Sequence, residues 1–137
     1  MPTIPDSNVL LDLIYAQTKQ AAWSRKWYSH FADLDGLVIN AIIFSEATAK
    51  LDELESARAL INSLGLTYEA IPVTAAFVAG KAHSLYRSKG GGRERTLPDF
   101  LIGAHAAARG YRILTRDAAR YRTYFPGVDV IAPDTHP

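Results

Sequence analysis

Short apolar segments of strand type alternate with helical segments along the whole chain, and this alternation restricts the fold more than any other feature of the sequence. Strands are predicted at residues 3–5, 37–40, 66–73, 111–115 and 128–131. Helices are predicted between them, and the longer ones span residues 19–34, 41–51, 52–64, 75–88 and 99–109. Strands that alternate with helices predict an α/β fold with a mostly parallel central sheet of about four to five strands flanked by helices.

The chain is predicted to form one domain spanning residues 1–137. Neither half would contain a sheet large enough to stand alone, and Gly90-Gly91-Gly92 is predicted to be an internal mobile loop. No apolar run approaches the length that spans a membrane, and the first residues lack the basic segment and apolar core of a signal peptide. Cysteine is absent. This excludes disulfides, thiolate metal sites and cysteine nucleophiles, and it fits a cytoplasmic protein.

Four acids are the candidate functional residues, namely Asp6, Glu46, Asp99 and Asp117. Each stands where a predicted strand or turn passes into a helix, among apolar neighbours that make a lone carboxylate expensive to bury. Ligands of parallel sheets bind beyond the carboxyl ends of the strands, where Asp6 and Asp117 are predicted to lie. Two carboxylates about 5 Å apart repel by roughly 3 kcal/mol at an effective dielectric constant near 20. A cluster of these acids therefore predicts a bound cation or a shared proton.

Each of these acids also has a purely structural explanation, which stays open at this point. Asp6 can serve as a helix cap, and Glu46 would suit a surface position. Asp99 and Asp117 can be first-turn acids stabilised by the helix dipole. The other acids in the first part of the chain lie in more polar or turn-like settings and are predicted to be solvated: Asp12, Asp33, Asp35, Asp52, Glu53 and Glu55.

An acidic site built only from oxygen ligands favours Mg²⁺ or Mn²⁺ over zinc, because hard cations prefer carboxylates. The four histidines are scattered and lack the spacing of metal ligands. His105 is the only one near a candidate acid, six residues after Asp99. It is predicted to pack in the core or at the surface rather than to bind metal.

Positive charge is concentrated in the second half of the chain, although the net charge is only +1. Ten of the fifteen Lys and Arg residues lie between Lys81 and Arg122, where only three acids oppose them. Basic clusters of this kind neutralise phosphates in nucleic-acid complexes. The residues predicted to hold RNA phosphates are Arg93, Arg95, Arg112, Arg116 and Arg120. The alternative is a set of solvated helix faces.

A carboxylate-bound divalent cation beside a basic surface is the arrangement that phosphodiester cleavage requires. Four acidic motifs follow one another in this chain: Asp6-Ser7-Asn8-Val9-Leu10-Leu11-Asp12, Ser45-Glu46, Pro98-Asp99 with Ile102-Gly103-Ala104, and Thr115-Arg116-Asp117. In order and spacing they resemble the acidic motifs of PIN-domain ribonucleases. Within that superfamily the chain is most similar to the VapC-type toxins of bacterial and archaeal toxin–antitoxin pairs, and the resemblance spans residues 4–131.

The resemblance implies a three-layer PIN-like fold and a Mg²⁺-dependent endoribonuclease. It implies a metal-associated acidic quartet supported by neighbouring polar residues: Asp6, Glu46, Asp99 and Asp117, with Ser7, Asn8 and Thr115. It also implies a homodimer and a cognate antitoxin whose tail covers the site. The predicted contact surface for that antitoxin is the apolar face of the first two helices, near Leu10, Leu13, Ile14, Trp23 and Trp27.

Three other interpretations compete with a nuclease. A receiver-like phosphoacceptor domain would have paired acids near the first strand and a lysine after a late strand, whereas Asp6 has no acidic neighbour. A haloacid-dehalogenase-like phosphatase would have Asp-x-Asp where this chain has Asp6-Ser7-Asn8. A catalytically silent RNA-binding or interaction module of the same fold stays open, although no acid of the quartet is missing.

Overall fold

The computed structural model describes all 137 residues, which form five strands and seven helices. The strands are β1 (Thr3–Pro5), β2 (Leu37–Ile39), β3 (Leu66–Tyr68), β4 (Arg112–Leu114) and β5 (Val130–Ile131). The helices are α1 (Ser7–Tyr15), α2 (Lys19–Leu34), α3 (Ala41–Ala47), α4 (Leu54–Ser63), α5 (Val73–Ser88), α6 (Leu97–Arg109) and α7 (Ala119–Arg122). No helix is both long and apolar enough to cross a lipid bilayer.

The five strands make one sheet in the order β3-β2-β1-β4-β5, and every neighbouring pair is parallel. Strand β1 lies at the centre, where Thr3 pairs with Leu37 on one side and with Arg112 on the other. The strand residues are mostly apolar and buried, as expected for a parallel sheet covered by helices. The predicted three-layer α/β fold is confirmed. Because β1 and β4 are neighbours and parallel, the residues that follow them meet at one edge of the sheet.

The core has two parts, and the smaller one fixes the start of α6. The larger cluster surrounds the sheet and includes Ile4, Ile43 and Ile113. The smaller cluster joins α5 to α6, with Phe100 fully buried between them. Gly103 leaves room for this packing, since a Cβ atom there would lie 2.4 Å from the Phe125 ring. The packing holds the first turn of α6 close to the rest of the domain.

Two element boundaries differ from the sequence-based prediction. Helix α3 ends at Ala47 instead of residue 51, because the hydroxyl of Thr48 donates to the Phe44 carbonyl and the chain turns there. Strand β3 ends at Tyr68 rather than at residue 73. Pro72, which has no N–H to donate to a strand ladder, instead caps α5.

The aromatic stripe of α2 packs partly against the domain itself, and this reduces the accessible part of the predicted antitoxin surface. The Trp23 indole N–H donates to the His136 carbonyl, and the Trp27 ring meets the His136 ring edge-on at 5.0 Å. Phe31 is buried, and Leu10 is fully enclosed in the core. The C-terminal residues of the chain therefore already occupy part of the surface that was expected to receive a partner.

Candidate active site

Asp6 lies at the centre of the candidate site, immediately after β1. Its Oδ1 accepts a hydrogen bond from the Ser7 N–H at 2.8 Å, so the carboxylate caps α1. Its Oδ2 accepts three bonds, from the Tyr121 hydroxyl at 2.8 Å, the Thr115 hydroxyl at 3.0 Å and the Asn8 amide at 3.2 Å. Asp6 is fully buried. These donors fix the orientation of the carboxylate inside the protein.

The negative charge of Asp6 is only partly compensated. Burial raises the pKa of Asp6, although the Tyr121 hydrogen bond, the positive charge of Arg120 and the Thr115 hydrogen bond all act to lower it. The Tyr121 hydroxyl stays protonated, because burial and the neighbouring Asp6 charge raise its own pKa. The carboxylate at this position therefore gains from a proton or a bound cation.

Asp99 is held by the N-terminus of α6. It is the third residue of α6 and forms a capping box with Thr96, the N-cap residue. Its Oδ2 accepts hydrogen bonds from the backbone N–H and the hydroxyl of Thr96 at 3.0 and 3.2 Å. Asp99 is buried, and its Oδ1 faces the Arg120 Nη1 at 3.6 Å. The local sequence Thr96-Leu97-Pro98-Asp99 thus both starts the helix and presents one carboxylate oxygen to the site.

Asp117 lies in the turn after β4 and connects the site to α7. Its backbone N–H donates to the Thr115 hydroxyl at 3.0 Å, and its Oδ2 accepts a hydrogen bond from the Arg120 Nε at 2.8 Å. The Asp117 side chain is 47% exposed. Arg120 thus pairs with both Asp117 and Asp99, and it is the only cationic side chain that forms an ion pair with the predicted quartet.

Glu46 lies at the rim of the site, near the C-terminal end of α3. It is exposed, whereas the sequence analysis placed it among apolar neighbours. Loss of hydration raises the pKa of Glu46, and the charges of Asp6 and Asp99 raise it further, against the opposing effects of Ser7 and Arg120. This electrostatic coupling indicates that Glu46 belongs to the same acidic region as the two buried acids.

The helix that carries Glu46 is positioned by Asn40, a residue that the sequence analysis missed. Asn40 follows β2 as Asp6 follows β1, and its Oδ1 caps α3 by accepting from the N–H groups of Ile42 and Ile43. Its amide lies 3.0 Å from the Nδ1 of His105, and the His105 Nε2 lies 3.1 Å from Glu69. His105 is fully buried. Both ring nitrogens of His105 are engaged, which confirms its predicted packing role. Asn40 could have been identified from the sequence, because ligands of parallel sheets bind beyond the carboxyl ends of the strands and Asn40 directly follows β2.

The residue types and the negative charge of the site fit a hard divalent cation, but the acidic side chains lie too far apart to bind one together. The only guanidinium that forms ion pairs with the four carboxylates is that of Arg120, which pairs with Asp99 and Asp117, and no thiolate or free imidazole competes with them. In the present side-chain positions no three acidic or histidine side chains are grouped closely enough to hold a common metal ion. Mg²⁺ or Mn²⁺ would thus suit the donor set only after a rearrangement of side chains.

Two residues take roles that differ from the sequence-based expectation. Asp12, expected to be solvated, is buried: it accepts from the Ser24 hydroxyl and forms a two-point ion pair with Arg116, whose Nε lies 2.7 Å from its Oδ2. This pair joins α1 to the turn after β4. Tyr121 was not identified as a site residue at all, because nothing in its local sequence distinguishes it from the other tyrosines.

The five arginines predicted to bind RNA do not form one surface. Arg112 begins β4 at the end of the sheet opposite to the acids, and it pairs with Asp35 at 3.3 Å and Asp129 at 3.6 Å. It is therefore excluded from a substrate surface beside the acids. Arg116 is committed to Asp12, and Arg120 to the acidic cluster itself.

Arg93 and Arg95 are the members of the predicted set that form no ion pair. Arg93 is exposed, and the Arg95 guanidinium lies about 6 Å from the ring centroids of Tyr86 and Tyr124. Both precede the first turn of α6, which carries Asp99.

The raised pKa values predict that stability of the cation-free protein falls with rising pH through the Asp6 and Glu46 titrations. Each group stabilises the fold below its ordinary pKa, 3.8 for Asp6 and 4.5 for Glu46, and this contribution is lost as the pH rises through the higher folded-state pKa. Between the ordinary and the folded-state pKa of Asp6, the free energy of unfolding of Asp6→Asn should therefore rise relative to that of wild type by up to about 1.4 kcal/mol per pH unit. Urea unfolding in EDTA from pH 4 to 8 measures this. The exposed Asp33→Asn is the control, and a difference that stays constant with pH would contradict the assignment.

Comparisons with known proteins give one family and one fold. The family model for the PIN domain matches residues 3–126. No curated protein sequence gives a significant match. Among solved structures, VapBC2 from Rickettsia felis bound to a promoter DNA fragment is 18% identical, with a TM-score of 0.69 and coverage of 96% of this chain and 98% of that one.

Two further complexes have the same fold. DNA-bound VapBC from Salmonella typhimurium is 18% identical with a TM-score of 0.70, covering 96% of this chain and 98% of the other. A toxin-antitoxin complex from Klebsiella pneumoniae is 18% identical with a TM-score of 0.66, covering 96% and 97% of the two chains. At this identity the structural likeness concerns the fold.

Proposed function

This chain belongs to the PIN domain family, and from that premise we propose that it is a metal-dependent endoribonuclease that acts as the toxin of a toxin–antitoxin pair. The family assignment excludes the receiver-like and dehalogenase-like alternatives. The observation that carries the proposal is the burial of Asp6 at the carboxyl end of β1, with an incompletely compensated charge and with Asp99, Glu46 and Asp117 in the same region. A buried carboxylate costs more free energy than an uncharged cap would, and a cation bound at this position would offset that cost.

In this proposal Asp6, Asp99 and Glu46 hold the cation, and Asp117 supports them through Arg120. Bound Mg²⁺ or Mn²⁺ would lower the pKa of a coordinated water and neutralise charge on the scissile phosphate. Tyr121, Thr115 and Asn8 fix the Asp6 carboxylate, so that its orientation costs no reorganisation during the reaction.

The direct test is cleavage of RNA by the purified protein with Mg²⁺ or Mn²⁺, compared with the same reaction in EDTA. We expect cleavage only in the presence of the divalent cation. RNA that stays intact under all conditions, while still being bound, would favour the catalytically silent module of the same fold.

Arg93 and Arg95 are proposed to bind RNA phosphates at the entrance to the acids. Replacing both by glutamine should weaken RNA binding and reduce the slope of log K against log salt, by about 0.7 per lost phosphate contact on a single strand. Fluorescence anisotropy with the Asp6→Asn protein, which prevents cleavage, measures the slope at several salt concentrations.

The matched control for this pair removes two other exposed cations, Lys26 on α2 and Arg58 on α4. If the Arg93, Arg95 and the Lys26, Arg58 double variants change the slope equally, the two arginines belong to an ordinary solvated surface.

An inhibitory protein partner completes the proposal. One structural neighbour is a toxin-antitoxin complex, and an uninhibited endoribonuclease would damage RNA in the cell that makes it. We propose a cognate antitoxin that covers the acids, and a homodimeric toxin. The first two helices stay the proposed contact surface without Leu10, which is fully buried, and with Trp23 and Trp27 partly covered by the C-terminal His136.

A further inference from the structure

Arg120 occupies a position from which it can act on every buried acid of the site. Its Nε donates to Asp117 at 2.8 Å, and its Nη1 lies 3.6 Å from Asp99. Burial lowers the pKa of Arg120, but the charges of Asp6 and Asp99 outweigh this effect and raise it. The guanidinium is thus the positive charge on which the acidic cluster depends in the absence of a metal ion.

In each of the two buried acids, Asp6 and Asp99, one carboxylate oxygen accepts fewer hydrogen bonds than the other. Asp6 Oδ2 and Asp99 Oδ2 are occupied by hydroxyl and backbone donors from elsewhere in the chain. Asp6 Oδ1 accepts only the Ser7 N–H, so it retains a lone pair. Asp99 Oδ1 has Arg120 as its ion-pair partner. A cation bound to these two oxygens would share Asp99 Oδ1 with Arg120.

We propose that Arg120 is an internal counter-ion that neutralises the acidic cluster before a divalent cation binds, and that it competes with this cation for Asp99. The inference rests on the proposed function, because it takes the acids to be the cation site. A guanidinium and a divalent cation within a few ångströms repel each other strongly. Cation binding therefore requires Arg120 to leave Asp99. The released guanidinium then lies at the entrance, where a substrate phosphate can pair with it.

The geometry favours an exchangeable contact over a permanent structural ion pair. The 3.6 Å separation from Asp99 exceeds hydrogen-bond distance, so the attraction is electrostatic and has no strict directional requirement. About a third of the Arg120 side chain is exposed, at 35%, which leaves it a path into solvent. By comparison, the pair of Arg116 with Asp12 has two direct hydrogen bonds, at 2.7 and 3.2 Å, although the Arg116 side chain is similarly exposed.

The test compares Arg120→Gln with Arg122→Gln, which removes a charge of the same helix whose partner is Asp134, outside the site. By calorimetry, Arg120→Gln should bind Mn²⁺ about tenfold more tightly than wild type, because the competing charge is gone. In EDTA it should melt at a lower temperature than wild type, and added Mn²⁺ should raise its melting temperature more. Arg122→Gln should bind Mn²⁺ like wild type.

An Mn²⁺ affinity of Arg120→Gln equal to or below that of wild type would overturn the inference. Asp6→Asn separates the two levels: if wild type binds Mn²⁺ and Asp6→Asn does not, the cation site stands and only the role of Arg120 falls. If Mn²⁺ binding does not depend on Asp6 in any variant, both the proposed cation site and the role of Arg120 are wrong.

If Arg120→Gln does not fold, NMR of the wild-type protein tests the inference instead. Mg²⁺ should shift the side-chain signals of Arg120 and leave those of Arg116 unchanged. Unshifted Arg120 signals would again overturn the inference.

Discussion

Replacing Asp99 by asparagine should lower the rate of Mg²⁺-dependent RNA cleavage by roughly 10³-fold or more while the fold persists. The substitution removes one negative charge from the proposed cation site. The asparagine side-chain oxygen can still accept from the Thr96 N–H, so the capping box that starts α6 keeps its main hydrogen bond. Circular dichroism and thermal melting should therefore show a folded protein. Single-turnover cleavage of a labelled RNA measures the rate.

The matched control is Asp129→Asn, which removes an exposed carboxylate that pairs with Arg112 at the opposite end of the sheet. Its cleavage rate should equal that of wild type. Combining Asp99→Asn with Asp6→Asn removes both buried acids of the site. If that double variant cleaves RNA at the wild-type rate, the acids are not the catalytic centre and the proposed mechanism is wrong.

Expression of the wild-type protein in a bacterial host should arrest growth, whereas expression of Asp6→Asn should not. The effect follows from the proposed activity, because RNA cleavage without an inhibitor halts protein synthesis. Co-expression of the product of a neighbouring short upstream gene should restore growth. Colony counts after induction measure this, with immunoblots to show that both proteins reach the same level.

Harmless expression of the wild-type protein at high yield would remove the toxin role. The nuclease role would still be judged by the cleavage experiment, since an RNA target absent from the test host would also leave growth unaffected. The Asp129→Asn protein should arrest growth as wild type does, which separates loss of the site from a general effect of removing a carboxylate.

The order of strands and helices could be predicted from local patterns, because each pattern reflects a property of neighbouring residues. Gly110 ends α6 with a positive φ of 70°, and Pro98 lies in its first turn, as the sequence indicated. The boundaries that failed, such as the end of α3 at Ala47, depend on a hydroxyl–carbonyl bond that competes with helix continuation. Such competition between two local structures of similar free energy is not visible in the periodicity of apolar residues.

The positions of the acids along the chain could also be predicted, since Asp6 directly follows β1, Asp117 lies in the turn after β4, and these two parallel strands pair with each other. Their assignment as metal-associated catalytic residues stays a prediction. Whether each acid is buried or exposed could not be predicted from the sequence. Asp12 was expected to be solvated and is buried, because burial on a helix depends on which neighbouring element covers that face. For Asp12 that element is the turn after β4, more than a hundred residues away in sequence, which supplies Arg116.

The sequence by itself determined the parallel α/β architecture and the order of the four acids along it, because both follow from residue types within a few positions of one another. Only the tertiary structure decided which charges meet. It placed Tyr121 against Asp6, turned Arg120 towards Asp99 and Asp117, and separated Arg112 from them. The physical reason is that electrostatic and hydrogen-bond energies depend on distances of a few ångströms between side chains. Those distances are set by strand order and helix packing.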